Sequence, residues 1–309
     1  MPGNALVTGG CGFIGAHLVN RLLLSGFKVV VIDDLRTGDI ARLSISNNLK
    51  IHQSSITNLG EANLSKILKE TTHLFHLAAE KHNSSLLTPE KLVTTNIVET
   101  EILLRLASRC GVPNIVFTSS LYAYGGMGPY AMNETDELNP TTLYGFSKST
   151  GENLLKFYSR KNSINAKSLR LFFTYGPNQF AVGGYKSVII KSFELISAGK
   201  RPQVNGSGNQ ALDYIFIDDV VDAIIKSSNQ NPGYEFYNVC NNKAISILDI
   251  MNLITEITGV KGFDQQPSDW TENSRRFGSN AKIIDSIGWN PKIDIVEGLT
   301  KTWNKYDRQ

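Results

Sequence analysis

Residues 8–15 read TGGCGFIG; they follow the apolar run ALVT (5–8) and open the helix-length segment FIGAHLVNRLLLS (13–25). Gly10, Gly12 and Gly15 satisfy G-x-G-x-x-G, and Gly9, Gly12 and Gly15 satisfy G-x-x-G-x-x-G. Without side chains the backbone turns tightly and can approach a pyrophosphate, whose negative charge is favoured by the N–H groups at the helix start. Asp33 closes the next apolar run, KVVVID (28–33), 18 residues after Gly15. A carboxylate there accepts hydrogen bonds from both adenosine ribose hydroxyls and repels a 2′-phosphate. Strand, glycines, helix, strand and acid in this order imply NAD rather than NADP. Arg36 in DDLRTG is the neighbour that would instead meet a 2′-phosphate.

The alternation continues outward. KIHQ (50–53), HLFHLA (73–78), NIVFTS (114–119) and AKSLRLFF (166–173) read as strands covered on both faces. Between them lie EANLSKILKE (61–70), TPEKLVTTNIVETEILLRLASR (88–109) and LYGFSKSTGENLLKFYSRK (143–161), each of helix length. Repeated strand–helix–strand units imply parallel pairing with right-handed crossovers, hence an α/β doubly wound parallel sheet of Rossmann type. After about Pro177 the rhythm changes, with AVGGY (181–185), GSGN (206–209) and helix patterns near 186–199, 245–259, 279–289 and 296–307. We expect a dinucleotide-binding domain over residues 1–177, with a return at about 210–230, and a smaller, discontinuous substrate-binding lobe over 178–309.

The 309 residues can bury an ample core without staples. Three widely spaced cysteines fit neither a zinc site nor a redox dithiol, and no metal is expected. The N-terminus enters a strand-like run at once, and no apolar run approaches the roughly 20 residues that span a bilayer. A cytoplasmic protein without membrane contact is therefore expected. The net charge of +3 has no basic block, and no nucleic-acid partner is expected.

In YGFSK (144–148), Tyr144 and Lys148 are one helical turn apart and share a face. FTSSLYAYG (117–125) ends a strand on the carboxyl side of the sheet, where Ser119 or Ser120 can hydrogen-bond the same substrate oxygen as the phenol. Ionising a phenol near pH 7 requires about three pKa units, roughly 4 kcal/mol. One cation at about 4 Å and an effective dielectric of about 20 contributes about that much. Lys148 is the expected source, and the base so formed can take a proton from a sugar hydroxyl.

TGGCGFIG, DDLRTG, HLAAEKHN, FTSSLYAYG, YGFSK, RLFFTYGPN, DYIFIDDVVDAI and SIGWNP together resemble the extended short-chain dehydrogenase/reductases, the NAD-dependent nucleotide-sugar epimerase and dehydratase family, over residues 4–303. The resemblance implies that Ser120, Tyr144 and Lys148 act on the sugar C4 with tightly bound NAD. It places Gly9, Gly12, Phe13, Ile14, Gly15, Asp33, Asp34, Ser55, Ile56, Leu77, Ala78, Ala79 and Asn96 around the cofactor, with Asn96 supporting the adjoining backbone. Glu80, Ser119, Tyr122, Phe173 and Arg275 are the substrate-side candidates. It also implies a homodimer through the helices of residues 89–110 and 144–161.

Dehydratases and decarboxylases of that family place acidic residues directly after the catalytic hydroxyl, where this chain has Leu121 and Tyr122. Epimerisation of a nucleotide sugar by transient C4 oxidation is therefore the leading expectation. Dehydratase or reductase chemistry and a non-catalytic NAD-binding protein are the alternatives, and Glu80 is the residue that speaks for dehydration. The substrate side departs from the family: Leu212 and Phe173 replace an arginine and an asparagine, and SDWTEN (268–273) stands where a late R-P-G arginine is usual. Arg275 and Arg276, or Lys200 and Arg201, either replace the lost diphosphate contacts or are solvated surface charge. Ser55 stands where the family often has an aspartate against the adenine amine.

Overall fold

The computed structural model describes residues 3–126, 128–160, 164–179, 187–268 and 274–306. AVGGY and residues 269–273 of SDWTEN lie outside the described residues. The chain forms two compact units: Met1–Gly126 with Glu137–Leu171 and Val221–Tyr237, and Met127–Asp136 with Phe172–Val220 and Asn238–Gln309.

In the first unit the chain runs β1 (Asn4–Thr8), α1 (Phe13–Leu24), β2 (Lys28–Asp33), β3 (Leu49–Gln53), α2 (Ile56–Leu59), α3 (Glu61–Glu70), β4 (His73–His76), α4 (Ser84–Leu87), α5 (Pro89–Val93), a π-helical turn (Thr94–Val98), α6 (Glu99–Cys110), β5 (Asn114–Ser120), α7 (Leu143–Ser159) and β6 (Asn165–Leu171). The strand Gly233–Val239 completes a seven-stranded sheet of order 233–239, β6, β5, β4, β1, β2, β3. The pairings among β1 to β6 are all parallel. The order reverses between β1 and β4, and the crevice at the carboxyl ends of these strands is where open α/β sheets bind ligands.

The apolar pattern explains why these elements form. Leu6 and Ile115 on the strands and Leu64, Leu103, Leu104 and Leu155 on the covering helices are removed from water in one core cluster. At about 25 cal/mol per Å² of apolar surface, each leucine contributes on the order of 2 kcal/mol. Gly111, at φ 73°, ends α6 in the left-handed conformation that a side chain disfavours.

Three elements differ from the expectation. The strand Gly233–Val239 is not foreseen, because GYEFYNV interleaves polar residues with aromatics and its first residues are half-exposed at the sheet edge. AKSLRLFF is not one strand: β6 ends at Leu171, and Phe173–Tyr175 pairs with Tyr214–Phe216 in the second unit. The long helix of residues 88–109 is broken by the π turn, which buries Asn96.

The second unit packs helices Val188–Ser197, Ile247–Thr258, Ala281–Ile287 and Ile295–Tyr306 with short strands. Asp213 is fully buried and ties loops together, its carboxylate accepting from the N–H groups of Asn241 (2.8 Å), Lys243 (3.3 Å) and Gly278 (3.3 Å). Among the described residues, no helix is long and apolar enough to cross a membrane.

Candidate active site

The glycine loop leaves β1 in a turn that only glycine fits at Gly9, where φ is +70° and a β-carbon would lie 2.7 Å from the Ala78 nitrogen. A β-carbon on Gly15 would collide with the Gly9 carbonyl. Gly12 is different: it has extended backbone, and a β-carbon there would meet only the Gly9 carbonyl, at 3.2 Å. Packing within the protein gives little reason for this glycine, whereas a ligand approaching the start of α1 does. Gly12, Phe13 and Ile14 on this loop, and Leu77, Ala78 and Ala79 after β4, are all half-buried. They line the two sides of the switch point.

Asp33 is buried at the end of β2, its carboxylate accepting from the N–H groups of Cys11 (2.9 Å) and Leu35 (2.9 Å). Burial, the larger effect, raises its pKa, and the two backbone donors oppose this. Each oxygen keeps a lone pair for a further donor such as a ribose hydroxyl. Asp34 is exposed and caps Arg36 N–H at 3.1 Å. Arg36 is not simply solvated, because its guanidinium pairs with the buried Glu80 and, at 3.6 Å, with Asp34. These residues fit a dinucleotide with a free 2′-hydroxyl, since Arg36 is already committed to carboxylates.

The Ser55 hydroxyl caps α2, accepting from Asn58 N–H at 3.2 Å, while the neighbouring Ile56 is buried. The helix-cap spacing was the signal for this role.

Asn96, presented by the π turn, accepts from Glu80 N–H at 2.7 Å and donates to the Glu80 carbonyl (3.2 Å) and to Ser147 Oγ (3.0 Å). Ser147 Oγ donates to the Tyr144 carbonyl at 2.8 Å. Asn96 thereby fastens the segment after β4 to the first turn of α7. The Glu80 carboxylate, paired with Arg36, also accepts from Ser84 Oγ at 2.8 Å.

The start of α7 is fixed by Thr142, whose hydroxyl accepts from Gly145 N–H at 3.1 Å. Tyr144 N–H donates to Ser85 Oγ at 3.0 Å. Thus held, the Tyr144 hydroxyl hydrogen-bonds Ser120, which ends β5. Tyr122 lies edge-on to Tyr144, with ring centroids 5.7 Å apart, and stacks on His82 at 4.4 Å. His82 lies 6.2 Å from the Tyr144 ring; the sequence reading quotes it in HLAAEKHN without assigning it a role.

Lys148 is buried, and its Nζ donates to the Thr118 carbonyl at 2.9 Å. It lies 5.7 Å from the centre of the Tyr144 ring and 5.0 Å from that of Phe117. Burial lowers its pKa to about 8, against a raising effect of Glu152. Burial pushes the Tyr144 phenol up to about 12; the Ser120 hydrogen bond opposes this and Tyr122 adds to it. Burial of the phenol thus outweighs the opposing Ser120 hydrogen bond. The positive charge expected beside it is that of Lys148 together with the nicotinamide of oxidised NAD.

Ser119, the other serine of the pair, donates its hydroxyl to Glu152 at 2.5 Å, while Tyr144 meets Ser120. On the second unit, Phe173 is half-buried and Arg275 is exposed. Arg276, by contrast, is buried, its guanidinium 5.9 Å from the Phe173 ring and its backbone paired with Leu212. Two of the substrate-side departures, Leu212 and Phe173, thus adjoin Arg276, one of the arginines that could compensate for them. Lys200 and Arg201 are exposed.

The sequence profile of the NAD dependent epimerase/dehydratase family matches residues 5–240. The UDP-glucose 4-epimerase of Mycolicibacterium smegmatis is 32% identical over 96% of this chain and 96% of its own. The dTDP-D-glucose 4,6-dehydratase of Mus musculus is 25% identical over 97% of this chain and 88% of its own. Among solved structures, the UDP-N-acetylglucosamine 4-epimerase from Methanobrevibacter ruminantium M1, in complex with UDP-N-acetylmuramic acid, superposes with a TM-score of 0.93 at 27% identity, covering 100% of this chain and 99% of that one. With a switch-point crevice suited to a dinucleotide and relatives that act on nucleotide sugars with different outcomes, the chain belongs to the NAD-dependent epimerase/dehydratase family and is an NAD-dependent enzyme that modifies nucleotide sugars.

Proposed function

We propose that the protein epimerises a nucleotide sugar at C4, with Tyr144 as the base, Ser120 as its hydrogen-bonding partner on the same substrate oxygen, and Lys148 as the charge behind them. The observation that carries this reading is the surroundings of Tyr144. Among the described residues, the groups that act on its hydroxyl are Ser120 and Tyr122, neither of them a carboxylate. Dehydration or decarboxylation needs a further acid or base beside the sugar. Glu80, the residue that favoured dehydration, is held by Arg36 and Ser84.

Bound NAD supplies a hydride acceptor at C4 that can return the hydride to the opposite face, and a positive ring that adds to the charge of Lys148. Gly9, Gly12 and Gly15 would seat its diphosphate, Asp33 its adenosine ribose, and Lys148 the nicotinamide ribose. Tyr144 would then take the C4 hydroxyl proton and give it back after the ketone is reduced. Phe173 and Arg275 would be the contacts on the nucleotide part of the substrate.

A homodimer belongs to the same reading. Phe146 and Phe157 lie eleven residues apart, on one stripe of α7, and are 53% and 55% exposed, and Val98, on the π turn that contacts α7, is 45% exposed. Purified protein given a panel of UDP-, dTDP-, GDP- and CDP-sugars without added NAD should yield C4 epimers by NMR. A 6-deoxy-4-keto product, a product short of one carbon, or stoichiometric NADH formation would reject epimerisation.

A further inference from the structure

Tyr144, Lys148 and Glu152 occupy successive turns of α7 and therefore one face. Each engages a different residue of the β5 terminus: Tyr144 meets Ser120, Lys148 donates to the Thr118 carbonyl at 2.9 Å, and Glu152 accepts from Ser119 Oγ at 2.5 Å. Glu152 is pinned from a second strand as well. Arg170 donates to both its oxygens, from Nε at 2.9 Å and from a terminal nitrogen at 2.7 Å, a bidentate pair. Ser119 and Arg170 are register partners across β5 and β6, so they reach Glu152 side by side. The Arg170 guanidinium lies 4.7 Å from the Tyr124 ring and 4.6 Å from the Phe236 ring. Ser119, Lys148, Glu152 and Arg170 are all at most 4% exposed.

We propose that Glu152, clamped by Arg170 and Ser119, is a positioning residue that keeps the Lys148 ammonium charged and aimed, and so sets the alkaline limit of the reaction. This rests on the role given to Lys148 above. A buried ammonium is stabilised only by what faces it. From β5 these are the Thr118 carbonyl and the Phe117 ring, and from α7 they are Tyr144 and Glu152. From β4 it is His76, which burial and Lys148 lower to about 3 and so hold neutral, with hydrogen bonds to Thr8 (2.7 Å) and Thr100 (2.8 Å). Glu152 is faced in turn by Ser119, Arg170 and, on the edge strand, Tyr234, whose hydroxyl donates to Ser168 at 3.4 Å. Glu152 is the carboxylate among these groups that supports the Lys148 charge.

A bare carboxylate could instead be pulled towards either cation. The clamp prevents this, because Arg170 and Ser119 together fix both oxygens while leaving the negative charge one turn from Lys148. Losing the charge would let Lys148 shed its proton at lower pH, by about one to two units for a unit charge one helical turn away at intermediate dielectric. The effect is electrostatic, so it should move a pH profile rather than merely lower an activity.

The test compares wild type with Glu152→Gln and Ser119→Ala as NAD-loaded holoenzymes. The pH dependence of Lys148 acetylation by trace acetic anhydride is read by mass spectrometry, and kcat/KM is read across pH 6–10. The expected result is that the Lys148 titration and the alkaline limb of kcat/KM move down together by about one unit or more in Glu152→Gln. A smaller shift in the same direction is expected in Ser119→Ala, which keeps every charge and guards against misfolding of the first variant. An unmoved Lys148 titration in Ser119→Ala and in any folded Glu152→Gln overturns the proposal, whatever the activity does. A moved titration with an unmoved activity profile instead leaves the clamp standing and removes Lys148 from the reaction.

Discussion

Gly145 lies so close to the carbonyl oxygen of Tyr122 that a β-carbon on it would collide with that oxygen. This contact seats the first turn of α7 on the turn that follows β5, and it brings Tyr144 to Ser120. Gly151 does the same six residues later, against the ring of Phe117. The glycine inside YGFSK is therefore a spacer between two surfaces and not a flexible joint.

Gly145→Ala should push α7 outward by a fraction of an ångström to an ångström and separate Tyr144 from Ser120. Misplacement on that scale costs about 100-fold in rate. Turnover should fall by that order while bound NAD, read by absorbance after denaturation, stays stoichiometric. Unchanged turnover would mean that the spacing does not control the phenol.

The sheet was legible because β1, β2 and β5 carry apolar, β-branched runs and the glycine loop marks where the first crossover begins. The edge strand Gly233–Val239 was not legible, because the exposed Glu235 and the buried Asn238 both interrupt its aromatic residues and obscure the period. The site was legible where one element carries it, as with Tyr144 and Lys148 on a single helical face. It was not legible where two elements meet: the register of Ser119 with Arg170, and the stacking of His82 on Tyr122, depend on pairings that no local pattern records. The burial that raises the Tyr144 pKa was not legible for the same reason, since burial is a property of the assembled fold.

Gly12 and Gly9 separate a ligand's requirement from the protein's own. Gly12→Ala meets only the Gly9 carbonyl, at 3.2 Å, and retains an allowed backbone, so the melting temperature should fall by no more than a few degrees. Its affinity for NAD should nevertheless drop by at least tenfold in calorimetric titration. Gly9→Ala, with φ +70° and a 2.7 Å approach to Ala78, should destabilise the fold itself, by about 1–3 kcal/mol. Equal melting temperatures for the two variants would contradict this division.

Tyr144→Phe removes the hydroxyl and keeps the ring edge-on to the stacked Tyr122 and His82. We expect turnover to fall by about 10²–10⁴-fold, the range for loss of a general acid–base group, with NAD content unchanged. The same variant should lose the phenol that titrates near 12 in cofactor-free protein, seen as one fewer phenolate in an alkaline ultraviolet titration. Full activity in this variant would exclude the phenol as the base.

The buried lysine also leaves a signature in stability. Lys148 has a folded pKa of about 8 against an ordinary value of 10.5, a cost of roughly 3 kcal/mol when the charge must be kept. Below pH 8 both folded and unfolded chains carry the proton and the folded state bears the whole cost. Between pH 8 and 10.5 the folded state releases the proton first, and the cost disappears; above 10.5 neither state is charged. Lys148→Met, which fills the same space without a charge, should therefore gain most over wild type at pH 7, and its advantage should shrink as pH rises from 8 to 10. Tyr144 acts oppositely but only above pH 10, where the unfolded phenol ionises before the folded one, so the window is clear of it. Urea denaturation of both proteins at pH 7, 8, 9 and 10 measures the difference, in which other titrating groups cancel. A difference that stays flat or widens across this range would show that Lys148 is not a desolvated ammonium.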